Sequence, residues 1–285
     1  MNIDEACVGC IINQSAKVSN AIGADEALTN KLTATVEELS NDFSFEQNPP
    51  EIASYVYAKM AELANKTDLY DEVKALSTKK ALSFVPLLKN KLLESDNKLL
   101  TATKIAVAGN VIDLAAAVEF DLAEELSKVF QRGFAYNDFS AFESKLVEAK
   151  NVVILGDNVG EHIFDYMFIE VLQELFPTIN YTYMVRGKPI INDVTMKEAK
   201  EYGFDKLCNL VDSGVNTPGF AYNRATQEAQ ELFDKADLVI SKGMGNYECL
   251  TPIVRENICF LLKVKCQVVA NSLNKEIGDI ICKLD

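Results

Sequence analysis

Apolar residues recur every three or four positions through the first part of the chain. Leu28, Leu32, Val36 and Leu39 make one stripe, and Ile52, Val56, Met60 and Leu63 make another. This is the period of a helix with one buried face. Asn48-Pro49-Pro50 separates the two, because proline halts a helix and restricts the residue ahead of it. Only Gly9 and Gly23 occur before residue 104. The pattern predicts a helical bundle or cap over residues 1–103.

Beyond that point the pattern changes. Short apolar, β-branched runs at 104–108, 152–155, 181–185, 207–211, 238–240 and 267–270 end in clusters of Gly, Asp, Asn and Lys. Amphipathic stretches follow, with Leu114, Val118, Leu122 and Leu126 on one face and Ile163, Met167, Val171 and Leu175 on another. Strand, loop and helix in alternation predict a mostly parallel sheet covered on both faces. The fold class is therefore α/β: an α/β/α sandwich over 104–285 with an N-terminal helical bundle domain. A chain of 285 residues with 48% hydrophobic positions is long enough to build that core without disulfides or a structural metal.

Charge and rare residues narrow the chemistry. The formal net charge of −14 repels nucleic-acid phosphates and anionic membranes, and no run of eighteen apolar residues is present to span a bilayer. No nucleic-acid or membrane partner is expected. His162 is the single histidine, so a metal would rest on oxygen ligands. The seven cysteines are scattered, and MNIDEACVGC lacks the basic and apolar parts of a signal peptide. A cytoplasmic protein with reduced thiols is the expectation.

In such sheets ligands bind beyond the carboxyl ends of the strands, and here those ends share a chemistry. The runs lead into Gly109-Asn110 with Asp113, Gly156-Asp157-Asn158-Val159-Gly160-Glu161, Ile191-Asn192-Asp193, Asp212-Ser213-Gly214 and Lys242-Gly243-Met244-Gly245-Asn246. Carboxylate and amide oxygens suit a hard divalent cation. A lysine beside two glycines offers a fixed charge and backbone donors. Together they describe phosphoryl transfer or phosphate-ester hydrolysis. Asp and Asn after a strand are also ordinary turn and cap residues, and both readings of Gly156-Asp157-Asn158 stand at this stage. Thr195-Met196-Lys197-Glu198 reads as a capping box, leaving Asp193 available as a ligand. Asp165 is expected to face solvent, and His162 to lie on a helix surface or support the site. Cys7-Val8-Gly9-Cys10 admits a redox or zinc reading; with no second pair and no preceding strand, structural cysteines near a helix start are preferred.

The ordered set resembles the metal-dependent damage-control phosphatases, the family long called domain of unknown function 89. The likeness rests on Gly109-Asn110-x-x-Asp113, Gly156-Asp157-Asn158-x-Gly160-Glu161-x-x-Phe164-Asp165, Pro189-Ile190-Ile191-Asn192-Asp193-x-Thr195, Asp212-Ser213-Gly214 and Ser241-Lys242-Gly243-x-Gly245-Asn246-x-Glu248. Cys7-x-x-Cys10 extends it to the branch found mainly in bacteria and archaea. The resemblance implies a helical domain on an α/β/α domain and a divalent metal (Mn, Mg, Co or Ni) on Asp157, Asn158 and Asp193. It implies phosphate binding by Lys242 and the loop Gly243, Gly245 and Asn246, with Asn110 and Asp212 lining the pocket. Asp157 and Lys242 become the catalytic candidates, and a small phosphorylated metabolite the substrate. The Arg-Thr-x-Lys signature of the eukaryotic sugar-phosphate branch is absent. The rival readings are a non-catalytic phosphometabolite sensor, a thiol redox protein on Cys7 and Cys10, and a nucleotide-binding transferase weakened by the missing phosphate-loop motifs.

Overall fold

The computed structural model describes residues 1–111, 129–253 and 255–285. Six helices come first: α1 (Glu5–Ile12), α2 (Gln14–Ala21), α3 (Glu26–Ser40), α4 (Pro49–Ala64), α5 (Asp71–Leu93) and α6 (Lys98–Val111). The two apolar stripes become the inner faces of α3 and α4, with Leu32, Val36, Ile52, Val56 and Met60 buried. Asn48 caps α4 by accepting the Glu51 N–H at 2.9 Å, and Pro49 stands first in the helix, where its missing N–H costs nothing.

The remainder alternates strand and helix: β1 (Tyr136–Asn137), α7 (Phe139–Glu148), β2 (Asn151–Leu155), α8 (Glu161–Leu175), β3 (Asn180–Val185), α9 (Met196–Tyr202), α10 (Phe204–Leu207), β4 (Asn209–Asp212), α11 (Gln227–Lys235), β5 (Leu238–Lys242), α12 (Gly243–Leu250), β6 (Ile258–Lys263), α13 (Gln267–Leu273) and β7 (Ile280–Leu284). The strands form one sheet in the order β1-β7-β6-β5-β2-β3-β4. All neighbours are parallel except β6 and β7. Along β2 the pleat sends Val152 and Ile154 into one layer and Val153 and Leu155 into the other, as a sheet covered on both faces requires. α5 to α8 supply the first layer; α11 to α13 supply the second. Residues 3–70 build a third, all-helical core, which also takes in Ile190.

Two apolar runs that read as strands are helices. The run 104–108 lies inside α6, whose Ile105, Ala106, Val107 and Ala108 are all buried. Being covered all round, it shows no polar face, and a short apolar run cannot separate the two states. The run 267–270 opens α13 behind an extended Cys266. The true neighbours of β5 and β6 are the runs at β6 and β7, which the strand reading passed over. The stretch carrying Leu114, Val118, Leu122 and Leu126 lies outside the described residues. Among the described residues no helix is long and apolar enough to cross a membrane.

Candidate functional site

β2 and β5 are adjacent, yet the chain leaves β2 toward β3 and leaves β5 toward β6. That reversal opens a crevice beyond their carboxyl ends. Register decides what enters it. Leu155 pairs with Ser241 on one side and Met184 on the other, so two residues further on Asp157 lies beside Gly243 and Arg186. The loop is pinned by its own backbone. Val159 N–H donates to Asn192 O and Val194 N–H to Asp157 O, both at 2.8 Å, and Arg186 N–H donates to Val194 O at 3.0 Å. Asn158 and Asp193 are thereby bridged across two loops. Ile191, two residues before Asp193, sits at φ +46°, a strained backbone state for a β-branched residue.

The crevice concentrates charge. Asp157, Glu161, Asp165 and Asp193 are all buried, facing the buried cations Arg186 and Lys242. Arg186 Nε donates to Asp193 Oδ2 at 2.7 Å, and its Nη2 lies 4.0 Å from Asp157 Oδ1. Asn158 Nδ2 donates to Asp157 Oδ2 and to Glu161 Oε1, each at 2.9 Å. The Lys242 ammonium donates to Asp165, which also accepts the Tyr183 hydroxyl at 3.0 Å. Burial, then repulsion from Asp193, raises the Asp157 carboxyl to about 7. Burial and Asp157 do the same for Glu161. Asp193 is lifted by burial and drawn back by Arg186, to about 6. Burial works against a charged Lys242, but Asp165 and Glu161 more than offset it and leave the ammonium above its ordinary value. Among the described buried residues here, four carboxylates face two cations, the electrostatic situation that a bound divalent cation relieves.

The other wall is the start of α12. Gly243 adopts φ +77°, and a Cβ there would overlap the Asp157 carboxylate; a Cβ on Gly245 would overlap the Pro218 carbonyl. No side chain caps this helix, and its first turn carries no acid. The first N–H groups of a helix lack partners within it and attract anions. Asn246 has a different employment. Its Nδ2 donates to Lys242 O at 2.7 Å and Gly156 O at 3.1 Å, and its Oδ1 accepts Phe220 N–H at 2.7 Å. The carboxamide ties the β2 and β5 loops together, leaving the backbone to face the crevice.

Asp157, Asn158, Asp193, Lys242 and Gly243 thus come together, with Gly245 one residue inside the helix. Asp212 stands exposed at the end of β4, on the sheet's edge, accepting the Gly214 N–H at 2.7 Å. Asn110 is in the last turn of α6; its side chain and Asp113 lie outside the described residues. Gly109 brings that turn against Glu161, where a Cβ would stand 3.0 Å from the Glu161 Cα. Asp165, expected at solvent, is buried beneath the site because α8 is covered on its polar side as well. His162 is also inside, its Nδ1 accepting the Gly160 N–H at 2.9 Å. Thr195 and Glu198 form the expected cap: Glu198 Oε2 accepts the Thr195 N–H at 3.0 Å and its hydroxyl at 2.6 Å. Cys7 is half-buried and Cys10 exposed, both as free thiols. The sequence reading singled out neither Arg186 nor Glu161 as site residues. Position carries the signal for both: Arg186 immediately follows β3, and Glu161 opens α8.

A mostly parallel sheet whose strand order reverses at this crevice, with carboxylates and an amide at one strand end and a helix start without a side-chain cap at the next, defines an α/β protein. The profile of the damage-control phosphatase ARMT1-like domain matches residues 3–281, and the chain belongs to that family. It is 30% identical over 286 residues to a damage-control phosphatase of Pyrococcus horikoshii, covering 99% of this chain and 98% of that one. It is 29% identical over 290 residues to a damage-control phosphatase of Archaeoglobus fulgidus, covering 100% and 99%. The crystal structure of a DUF89 family protein from Pyrococcus horikoshii superposes with a TM-score of 0.92 at 28% identity, over 100% of this chain and 99% of the other.

Proposed function

We propose that this chain is a divalent-metal-dependent phosphomonoester hydrolase acting on small phosphorylated metabolites, sugar phosphates or damaged phosphometabolites. The observation that carries the reading is the juxtaposition at the β2–β5 crevice: a surplus of buried carboxylates directly beside an uncapped helix start. Asp157, Asn158 and Asp193 would hold the cation. Among the described residues no three His, Cys, Asp or Glu side chains form a metal cage, and in this reading the third protein oxygen is an amide. The Asn158 carboxamide lies within reach of Asp157, and its two ends interchange by a flip of the terminal bond. Such an oxygen set suits Mg²⁺ or Mn²⁺. A bound cation would supply charge neutralisation at the phosphoryl oxygens and activation of the nucleophile.

The chain's own groups do the rest. Backbone N–H groups of residues 243–245 receive the phosphate oxygens and stabilise charge that grows on them during transfer. Lys242 places a positive charge beneath that loop, fixed in direction by Asp165. Asp157 would hold the cation, or would itself attack phosphorus and displace the alcohol, or would take the proton of the attacking water; turnover depends on it in each case. Arg186 keeps Asp193 oriented.

The test is phosphate release from a panel of sugar phosphates and an aryl phosphate, using metal-stripped protein with added Mg²⁺, Mn²⁺, Co²⁺ or Ni²⁺. Release that needs a metal and vanishes in Asp157→Asn supports the hydrolase. Tight phosphometabolite binding with no release under any metal would make the protein a sensor instead.

A further inference from the structure

Lys74 is a fully enclosed lysine in the first turn of α5, 2% exposed, and close enough to Asp193 for its charge to favour that carboxylate. Burying an ammonium costs several kcal/mol, and an apolar side chain of similar volume often packs there more stably. The cation is therefore informative about what it faces. Its Nζ donates to Asp68 Oδ2 at 2.8 Å and lies 3.6 Å from Glu198 Oε1. The other oxygen of Glu198 holds Thr195 by both its N–H and its hydroxyl. Thr195 is bridged to Arg186, whose Nε grips Asp193. The same loop is seated from the helical side a second time: Ile190 is buried in the helical core, and the strained Ile191 packs against it.

Resting on the hydrolase reading above, we infer that Lys74 is a positioning residue for Asp193. Through Glu198 and Thr195 it lets the helical layer set how tightly the 190–198 loop, and with it the cation, is held. Lys74 touches neither substrate nor cation in this arrangement. It acts as the outer partners of metal ligands commonly do, where removal costs about 10- to 100-fold in metal affinity.

The experiment compares wild type, Lys74→Met, Glu198→Gln and the double variant. Hydrogen exchange across 190–198 is followed in metal-free protein, Mn²⁺ affinity by calorimetry, and phosphate release as a function of Mn²⁺. Lys74→Met is expected to speed exchange in that segment, weaken Mn²⁺ binding about tenfold, and recover most of its turnover at saturating Mn²⁺, which a generally damaged protein does not do. The double variant is expected to be no worse than the poorer single one, because both act along one path. Unchanged exchange over 190–198, unchanged Mn²⁺ affinity or strictly additive losses overturn the inference. Should Lys74→Met fail to fold, Glu198→Gln carries the same readouts. Wild type that binds Mn²⁺ yet releases no phosphate overturns the hydrolase reading alone, since exchange and Mn²⁺ affinity still report on Lys74.

Discussion

α8 and α12 begin side by side at the centre of the sheet, and their first turns are opposites. Each follows a central strand and points the positive end of its dipole into the crevice. α8 opens with Glu161, an acid of its own, hydrogen-bonded to Asn158 and buried against Asp157. α12 opens with Gly243-Met244-Gly245, which carry no acid and no cap. Among the described residues neither start is capped by a side chain, so the two differ in the acid that one carries and the other lacks. The Lys242–Asp165 pair bolts the two together, since Lys242 precedes α12 and Asp165 lies in α8. The lesson is that two copies of one strand–helix turn can differ in charge solely through the residues that occupy the first helical positions.

The comparison can be broken most severely on the acidic side. Asp157→Asn is expected to lower metal-dependent phosphate release by at least about a thousandfold, or ~4 kcal/mol of transition-state stabilisation, with an unchanged circular dichroism spectrum. Activity within tenfold of wild type would remove Asp157 from the centre of the site. Lys242→Met tests the bolt. It leaves Asp165 buried without its cation, so urea unfolding should show a loss of about 3–5 kcal/mol, partly recovered when Asp165→Asn is added.

The second residue of α8 sharpens the contrast through pH. Burial holds His162 neutral and lowers its pKa to about 4, against about 6.5 in an unfolded chain. The unfolded state binds the extra proton between those values. This contribution to stability is therefore fully present above about pH 6.5 and is lost as pH falls toward 4, by up to roughly 3 kcal/mol. His162→Gln should flatten that limb of the urea-midpoint profile; an identical slope in the variant would sink the assignment. The gentlest test converts one helix start into the other. Met244→Glu places an acid in the first turn of α12 and should weaken inorganic phosphate binding about tenfold, or ~1.4 kcal/mol, with fold and Mn²⁺ affinity retained. Unchanged phosphate affinity would mean that the α12 start is not the anion subsite.

How far the fold could be read from residues alone depended on whether an element has two different faces. α3 and α4 do, so Leu32, Val36, Ile52 and Val56 announced them. β2, β3 and β5 also declared themselves, because each ends abruptly in polar loop residues. α6 has no polar side at Ile105–Ala108, being packed between layers, and its periodicity was silent. β6 is an apolar run buried on both faces, a legitimate strand signal that no strand-end motif flagged. In the site, Asp157, Asn158, Asp193 and Gly243 stood out as strand-end residues in recurring clusters. Asp165 did not, since its burial is imposed by Lys242, which arrives from a strand 77 residues later. Lys74 was invisible for a related reason: Asp68 is six residues away, but Glu198 and the burial come from tertiary packing.

The seating of Ile190 in the helical core has a consequence for how the protein is made. Every other buried member of that core lies within residues 3–70, and all of them leave the ribosome well before Ile190 does. Until then that core lacks one of its buried side chains, so its packing cannot be complete. The first layer to be synthesised is in this respect completed by a later one.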